Sequence, residues 1–161
     1  MIRAYSPERD ADALWDLKRQ FELELGGNTG GEEKSTKYQD KVDEEYQNRY
    51  LDWTRRCIES DPDCISIAEV DQSIVGYAFV LPENFAMIWD AAVLNEIFIM
   101  ESHRGTGVAD DLMQSVLETA KKQDLPLDRL LLDVDEDNER AQAFYQRYDF
   151  KKWGDLVARS V

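Results

Sequence analysis

The chain has 161 residues, 43% of them hydrophobic, and carries 34 acidic against 19 basic side chains for a formal net charge of −15. That balance excludes nucleic acid as a partner, because no basic surface is available to offset phosphate. The longest apolar run, residues 74–81, is far short of the ~20 residues a membrane helix needs.

The first residues, MIRAYSPERD, hold no apolar signal core, so a cytoplasmic protein is expected. Cys57 and Cys64 form no CxxC pair and His103 stands alone. No metal site is therefore expected. The acidity has two readings, a solvated surface suited to high salt or attraction for a cationic substrate.

In chain order, IRAYS reads as a short strand. Residues 6–27 read as a helix, with Ser6 at the N-cap, Pro7 in the first turn and Gly26 and Gly27 at the end. Leu14, Leu17, Phe21 and Leu25 share one face of it. GGNTGGEEKST reads as a polar loop, and a second helix is expected over residues 37–58 with Tyr46, Tyr50 and Trp53 inward. The runs on either side of DQS predict a β-hairpin. Another strand ends near Met100, followed by a helix over residues 106–122 with Val108, Leu112, Val116 and Ala120 in register. Asp110 and Asp111 open that helix and Lys121 and Lys122 close it, as its dipole favours. RLLLDV predicts a short buried strand, and DNERAQAFYQRYDF a helix leading to a last strand. The whole predicts one α/β domain over residues 1–161, a mixed sheet with helices on both faces.

HRGTGVADDL places Gly105 and Gly107 between a strand and a helix. Free amides at a helix N-terminus bind phosphate, since backbone donors and dipole both favour negative charge; a tight turn without a ligand is the alternative. The stretch lacks the lysine of a P-loop, and Asp110 stands where a dinucleotide fold needs a third small residue. Arg104-Gly105-Thr106-Gly107-Val108-Ala109 instead resembles the Q/R-x-x-G-x-G/A signature of the GNAT N-acetyltransferase superfamily. NERAQAFYQRYDF is similar to that family's N-x-x-A-x-x-F-Y-x-x-x-G-F segment, through Asn138, Ala141, Phe144, Tyr145 and Phe150, and SIVGYAFV to its central hairpin, with Gly76 in place.

The resemblance implies a GNAT-like, mostly antiparallel sheet and use of acetyl-CoA. Amides of Arg104, Gly105, Thr106, Gly107, Val108 and Ala109 would cradle the pyrophosphate, and the strand Ile97, Phe98, Ile99 would pair with the pantetheine arm. Asn138 and Phe144 would line the cofactor, and Tyr145 would protonate the departing thiolate. An alkyl amine of pKa ~10.4 must lose a proton before attack. Glu96, expected to share a strand face with Leu94 and Phe98 and to be partly buried, is the first candidate base, with Asp133 second and a water chain third. Asp149 replaces the family's usual glycine and Glu101 a frequent proline; aspartate tolerates left-handed backbone, so the turn should survive.

The expected activity is direct transfer of acetyl to a primary amine of a small molecule or peptide. A non-catalytic CoA-binding sensor is the alternative. Tyr38, Tyr46, Phe85 and Trp89 would grip the acceptor, and a homodimer is compatible with the sequence.

Overall fold

The computed structural model describes residues 1–28, 37 and 41–161. Most of the expected glycine-rich loop, and Tyr38, lie outside the described residues. The chain runs through β1 (Ile2–Ala4), α1 (Pro7–Asn28), α2 (Glu44–Ser60), β2 (Ile65–Val70), β3 (Ser73–Val80), a short α3 (Glu83–Ala86), β4 (Ala92–Ile99), α4 (Val108–Lys122), β5 (Leu130–Leu131) and α5 (Glu139–Gln146). The five strands lie in sequence order, with β1 to β4 antiparallel and β5 parallel to β4. The mixed, mostly antiparallel sheet is the one expected.

Several boundaries moved. α1 continues through Gly26 and Gly27 to Asn28; Gly26 is buried, and tertiary packing there outweighs poor helix propensity. Asp10 also reaches back to the Ser6 amide (2.9 Å), while the Ser6 hydroxyl binds Glu8 (3.1 Å) rather than a backbone donor. The expected 37–58 helix is interrupted. Asp43 takes extended backbone (φ −105°, ψ 179°) and caps α2 by accepting from the Tyr46 amide. DQS does make the hairpin: Asp71 and Gln72 have φ of 48° and 67°, the left-handed pair that a two-residue turn requires. The RLLLDV strand shrinks to two half-buried residues. No strand follows α5 among the described residues, because residues 151–161 are all exposed and have no face to bury.

Two cores flank the sheet. On one side α1 and α2 cover Ile65, Ile67, Tyr77, Phe79 and Phe98; on the other α4 covers Ala68, Val75, Ala78, Val80 and Leu94, with Phe144 and Tyr145 of α5 packed alongside. A bulge in β4 decides who faces which. Phe79 pairs with Glu96 but Val80 pairs with Leu94, leaving Asn95 as the extra residue. Strict alternation would put Leu94 and Glu96 on one face. The bulge instead turns Leu94 toward α4 and leaves Glu96 with Phe98 on the α1 side, so of the face expected for Leu94, Glu96 and Phe98 only Leu94 is displaced.

Candidate active site

β3 pairs along the length of β4, but β5 meets it only at Ala92 and Val93. From Leu94 onward the β5 side of β4 is open. The Met100 amide donates to Val75 (2.8 Å), and the Phe98 carbonyl lies so close to Gly76 that a Cβ there would come within 2.8 Å of it. Residues 98 and 100 thus spend their backbone groups on β3. By alternation Ile97 and Ile99 turn theirs to the open side, where Arg104 Nε already meets the Ile99 carbonyl and the remaining groups form a strand edge that an extended ligand can complete. Phe98, expected on that edge, is turned away from it.

The edge leads directly into the glycine turn. Gly105 and Gly107 have φ of +75° and +93°, and nothing stands within 4 Å of a Cβ built on either. Those angles favour glycine because L side chains rarely adopt them. Gly107 is the N-cap of α4 and offers no side chain to cap it, so the first amides of a fifteen-residue helix keep their donors for another acceptor. Thr106 Oγ donates to the His103 carbonyl (2.6 Å) and Arg104 Nε to the Ile99 carbonyl (3.0 Å), fixing the turn from both ends. Asp110, in the first helical turn, is held by Arg147 (2.9 Å) and the Tyr148 hydroxyl (2.6 Å). These contacts tie α4 to the end of α5.

On the α5 side, Asn138 caps the helix by accepting from the Ala141 amide (3.1 Å), which leaves its Nδ2 group to donate elsewhere. Tyr145 packs edge-on against Phe144 (5.5 Å) and Phe150 (5.6 Å). Burial pushes its phenol up to about 12. Asp149 takes φ 62°, and the Phe150 amide closes the turn onto the Tyr145 carbonyl (3.2 Å), so aspartate does here what glycine usually does.

Glu96 lies on the opposite face and is not free. Lys18 Nζ (2.7 Å) donates to one oxygen, and the hydroxyls of Tyr50 (2.8 Å) and Tyr77 (2.7 Å) donate to the other. Lys18 also bridges to Glu22 (2.5 Å), which receives Lys41 (3.1 Å) and the Tyr46 hydroxyl (3.2 Å). Lys18 and Glu22 are only 4% and 3% exposed, and Glu96 only 7%. Burial works against the charge of Lys18, yet the charges of Glu96 and then Glu22 hold its ammonium above the ordinary lysine range. Burial likewise opposes Glu22, but Lys18 and then Lys41 hold it below the usual carboxyl range. Burial first, then the Glu96 charge, lifts Tyr50 and Tyr77 well above 10, so both remain donors. Asp133 is exposed.

Lys18, Glu22 and Tyr77 stand outside the sequence expectation, and Tyr50, expected inward, turns its hydroxyl to Glu96. One signal was present: Leu14, Lys18 and Glu22 recur at four-residue spacing beside the apolar stripe of α1, so the two charges had to lie at the core margin. Two further polar residues near the turn, Glu24 and Arg140, carried no such signal. Among the described residues no group of three or more metal-ligating side chains is present, and no helix is long and apolar enough to cross a membrane.

An open strand edge runs into an uncapped helix behind paired glycines, and a second helix lined with aromatics stands across from them. Residues 28–150 match the Acetyltransferase (GNAT) family, and the chain belongs to that family. It is 38% identical over 88 residues to an uncharacterised N-acetyltransferase of Mycobacterium tuberculosis, covering 54% of this chain and 52% of that one. The chain thus spans about half the length of that relative. Its fold is shared with the PaiA N-acetyltransferase of Thermoplasma acidophilum in complex with coenzyme A (TM-score 0.69, 19% identity, 92% of this chain and 87% of that one). It is shared also with an aminoglycoside 6'-N-acetyltransferase of Acinetobacter haemolyticus (TM-score 0.67, 15% identity, 100% and 97%).

Proposed function

We propose that the protein is an acetyl-CoA-dependent N-acetyltransferase that moves an acetyl group directly to a primary amine within a ternary complex. One observation carries this reading: the left-handed glycine pair in front of the uncapped α4, continuous with the open edge of β4. The residues present suit acetyl-CoA, since the turn is open above both glycines and no side chain caps the α4 amides, which favour an anion.

When bound, acetyl-CoA supplies an activated acetyl thioester. The chain's own residues do the rest. The Arg104 amide is spent on the Glu101 carbonyl (3.2 Å), so the amides from Gly105 to Ala109, with the α4 dipole, hold the pyrophosphate. Ile97 and Ile99 lend backbone groups to the pantetheine arm, and Asn138 and Phe144 line the α5 side. Tyr145 is assigned to deliver a proton from its hydroxyl to the leaving sulfur, because a phenol carries its proton at neutral pH and its ring is held in place by Phe144 and Phe150. Its hydroxyl makes no hydrogen bond to another described residue that would hold the proton back.

The acceptor amine approaches from the α1 and α2 side, where Tyr46 and Phe85 lie. Both Glu96 oxygens are already taken by donors. In this reading Glu96 is the fixed negative charge beneath the acceptor, and the amine proton leaves to water. Two proteins of this fold carry names that suggest acceptors, an aminoglycoside and an alanine of a ribosomal protein.

The test is free-thiol release from acetyl-CoA with aminoglycosides, peptide α-amines, lysine and polyamines, beside calorimetric titration of CoA. Release with one acceptor class supports the transferase. CoA binding with no turnover on any acceptor makes the domain a CoA sensor instead, and no CoA binding removes both readings.

A further inference from the structure

Glu24, in the last turns of α1, sits between two arginines from separate parts of the fold. Its Oε1 receives Arg104 Nη2 at 2.6 Å, and its Oε2 lies 3.7 Å from Arg140 Nη2. Arg104 begins the glycine turn; Arg140 stands in the first turn of α5, two residues after Asn138. The two arginines therefore come from the two sides of the gap that opens between β4 and β5. One carboxylate spans them.

Arg104 is built into place rather than loosely exposed. Its Nε is anchored on the Ile99 carbonyl, and its guanidinium lies 5.7 Å from the Phe98 ring centroid. Its side chain is 23% exposed and that of Glu24 33%, while Arg140 is 62% exposed. A guanidinium presents the same planar donors to carboxylate and to phosphate. Glu24 thus sits where a phosphate oxygen would meet both arginines, one of which opens the glycine turn. In a chain of net charge −15, these are cations placed where a polyanion must dock.

Resting on the acetyl-CoA reading, we propose that Arg104 and Arg140 form a phosphate clamp whose place Glu24 fills, and that a phosphate of the cofactor displaces Glu24 when it binds. A phosphate that also engages the turn amides outcompetes a single carboxylate, because it gathers more donors and carries at least as much charge. Displacement detaches the end of α1 from the cofactor side. Cofactor binding thereby alters the helix that carries Lys18 and Glu22 on the acceptor side.

The experiment is calorimetric titration of CoA and of dephospho-CoA into the wild type, Glu24→Gln and Arg140→Gln, with the melting temperature of each recorded. Removing the internal competitor should tighten CoA binding about fivefold, the scale of one partly exposed ion pair, and molar salt should shrink that gain. Arg140→Gln should weaken CoA binding, and Glu24→Gln should add less in that background. A gain kept with dephospho-CoA assigns the displacement to the pyrophosphate, and a gain seen only with CoA assigns it to the ribose phosphate; either supports the clamp. Unchanged or weaker CoA binding in a folded Glu24→Gln protein overturns it, making Glu24 a support for Arg104. Wild-type affinity in Arg140→Gln, an exposed position expected to fold normally, overturns it independently of how Glu24→Gln folds. A wild type that binds no CoA overturns the acetyl-CoA reading itself.

Discussion

The two faces of the sheet are organised on different principles. The α4 and α5 face is built from one contiguous stretch: the edge of β4, the glycine turn, α4, β5 and α5 follow each other between residues 92 and 146. Its core is apolar, and its polar chemistry is largely backbone. The α1 and α2 face instead buries a charged network gathered from four elements, with Lys18 and Glu96 78 positions apart. Backbone sites need only the right local dihedrals, and a few glycines supply them. A buried ion pair must offset the loss of water around each charge, so every partner has to arrive together.

That contrast is tested most severely at Lys18. Lys18→Met removes the ammonium and leaves Glu22 and Glu96 buried with less compensation. Urea unfolding should show a loss of about 3–5 kcal/mol, whereas Arg55→Ala, which breaks the exposed pair with Asp52, should cost under about 1 kcal/mol. Equal losses would mean that the network is not energetically buried.

The pH dependence follows from the same partners. Lys18 is raised in the folded state, so its contribution is complete below the unfolded lysine value of ~10.4 and fades as pH climbs through the higher folded one. Glu22 is lowered, so its contribution is complete above ~4.3 and fades as pH falls through the lower folded value. Stability should be level between these limits with respect to this pair, and the Lys18→Met protein should lose part of the acid-side decline. An acid limb of identical size in both proteins would detach Glu22 from Lys18.

On the other face the expected effects are on ligand rather than fold. Gly107→Glu forces a side chain into left-handed backbone and sets a carboxylate before the α4 amides. CoA affinity should fall by at least ~100-fold, about 2.7 kcal/mol, with circular dichroism little changed; retained affinity would return the turn to a purely structural role. Tyr145→Phe keeps the ring against Phe144 and Phe150. Turnover should drop about 10²-fold, in kcat more than in KM, while CoA still binds. A wild-type rate from pH 6 to 9 would make Tyr145 a packing residue.

The smallest expected effect belongs to neither face. With net charge −15, the melting temperature should rise by a few degrees from dilute buffer to molar KCl as self-repulsion is screened. A flat curve would point the acidity toward the substrate instead.

By itself the sequence determined the local signals. The glycines of the turn, the acidic start and basic end of α4, the left-handed Asp71-Gln72 hairpin and Asp149 all follow from short-range backbone preferences, legible in adjacent residues. So did the apolar stripes that make α1 and α4 amphipathic; which face of the sheet each one covers did not. Only the tertiary structure decided the rest. The one-residue bulge at Asn95 sends Glu96 away from Leu94, because strand pairing with β3, not side-chain alternation, sets that register. The partners of Glu96 come from α1, α2 and β3, and those of Glu24 from the glycine turn and α5. The two-residue β5 and the irregular tail show the same limit: a strand exists only where another edge receives it, and no run of residues states in advance which edge that will be.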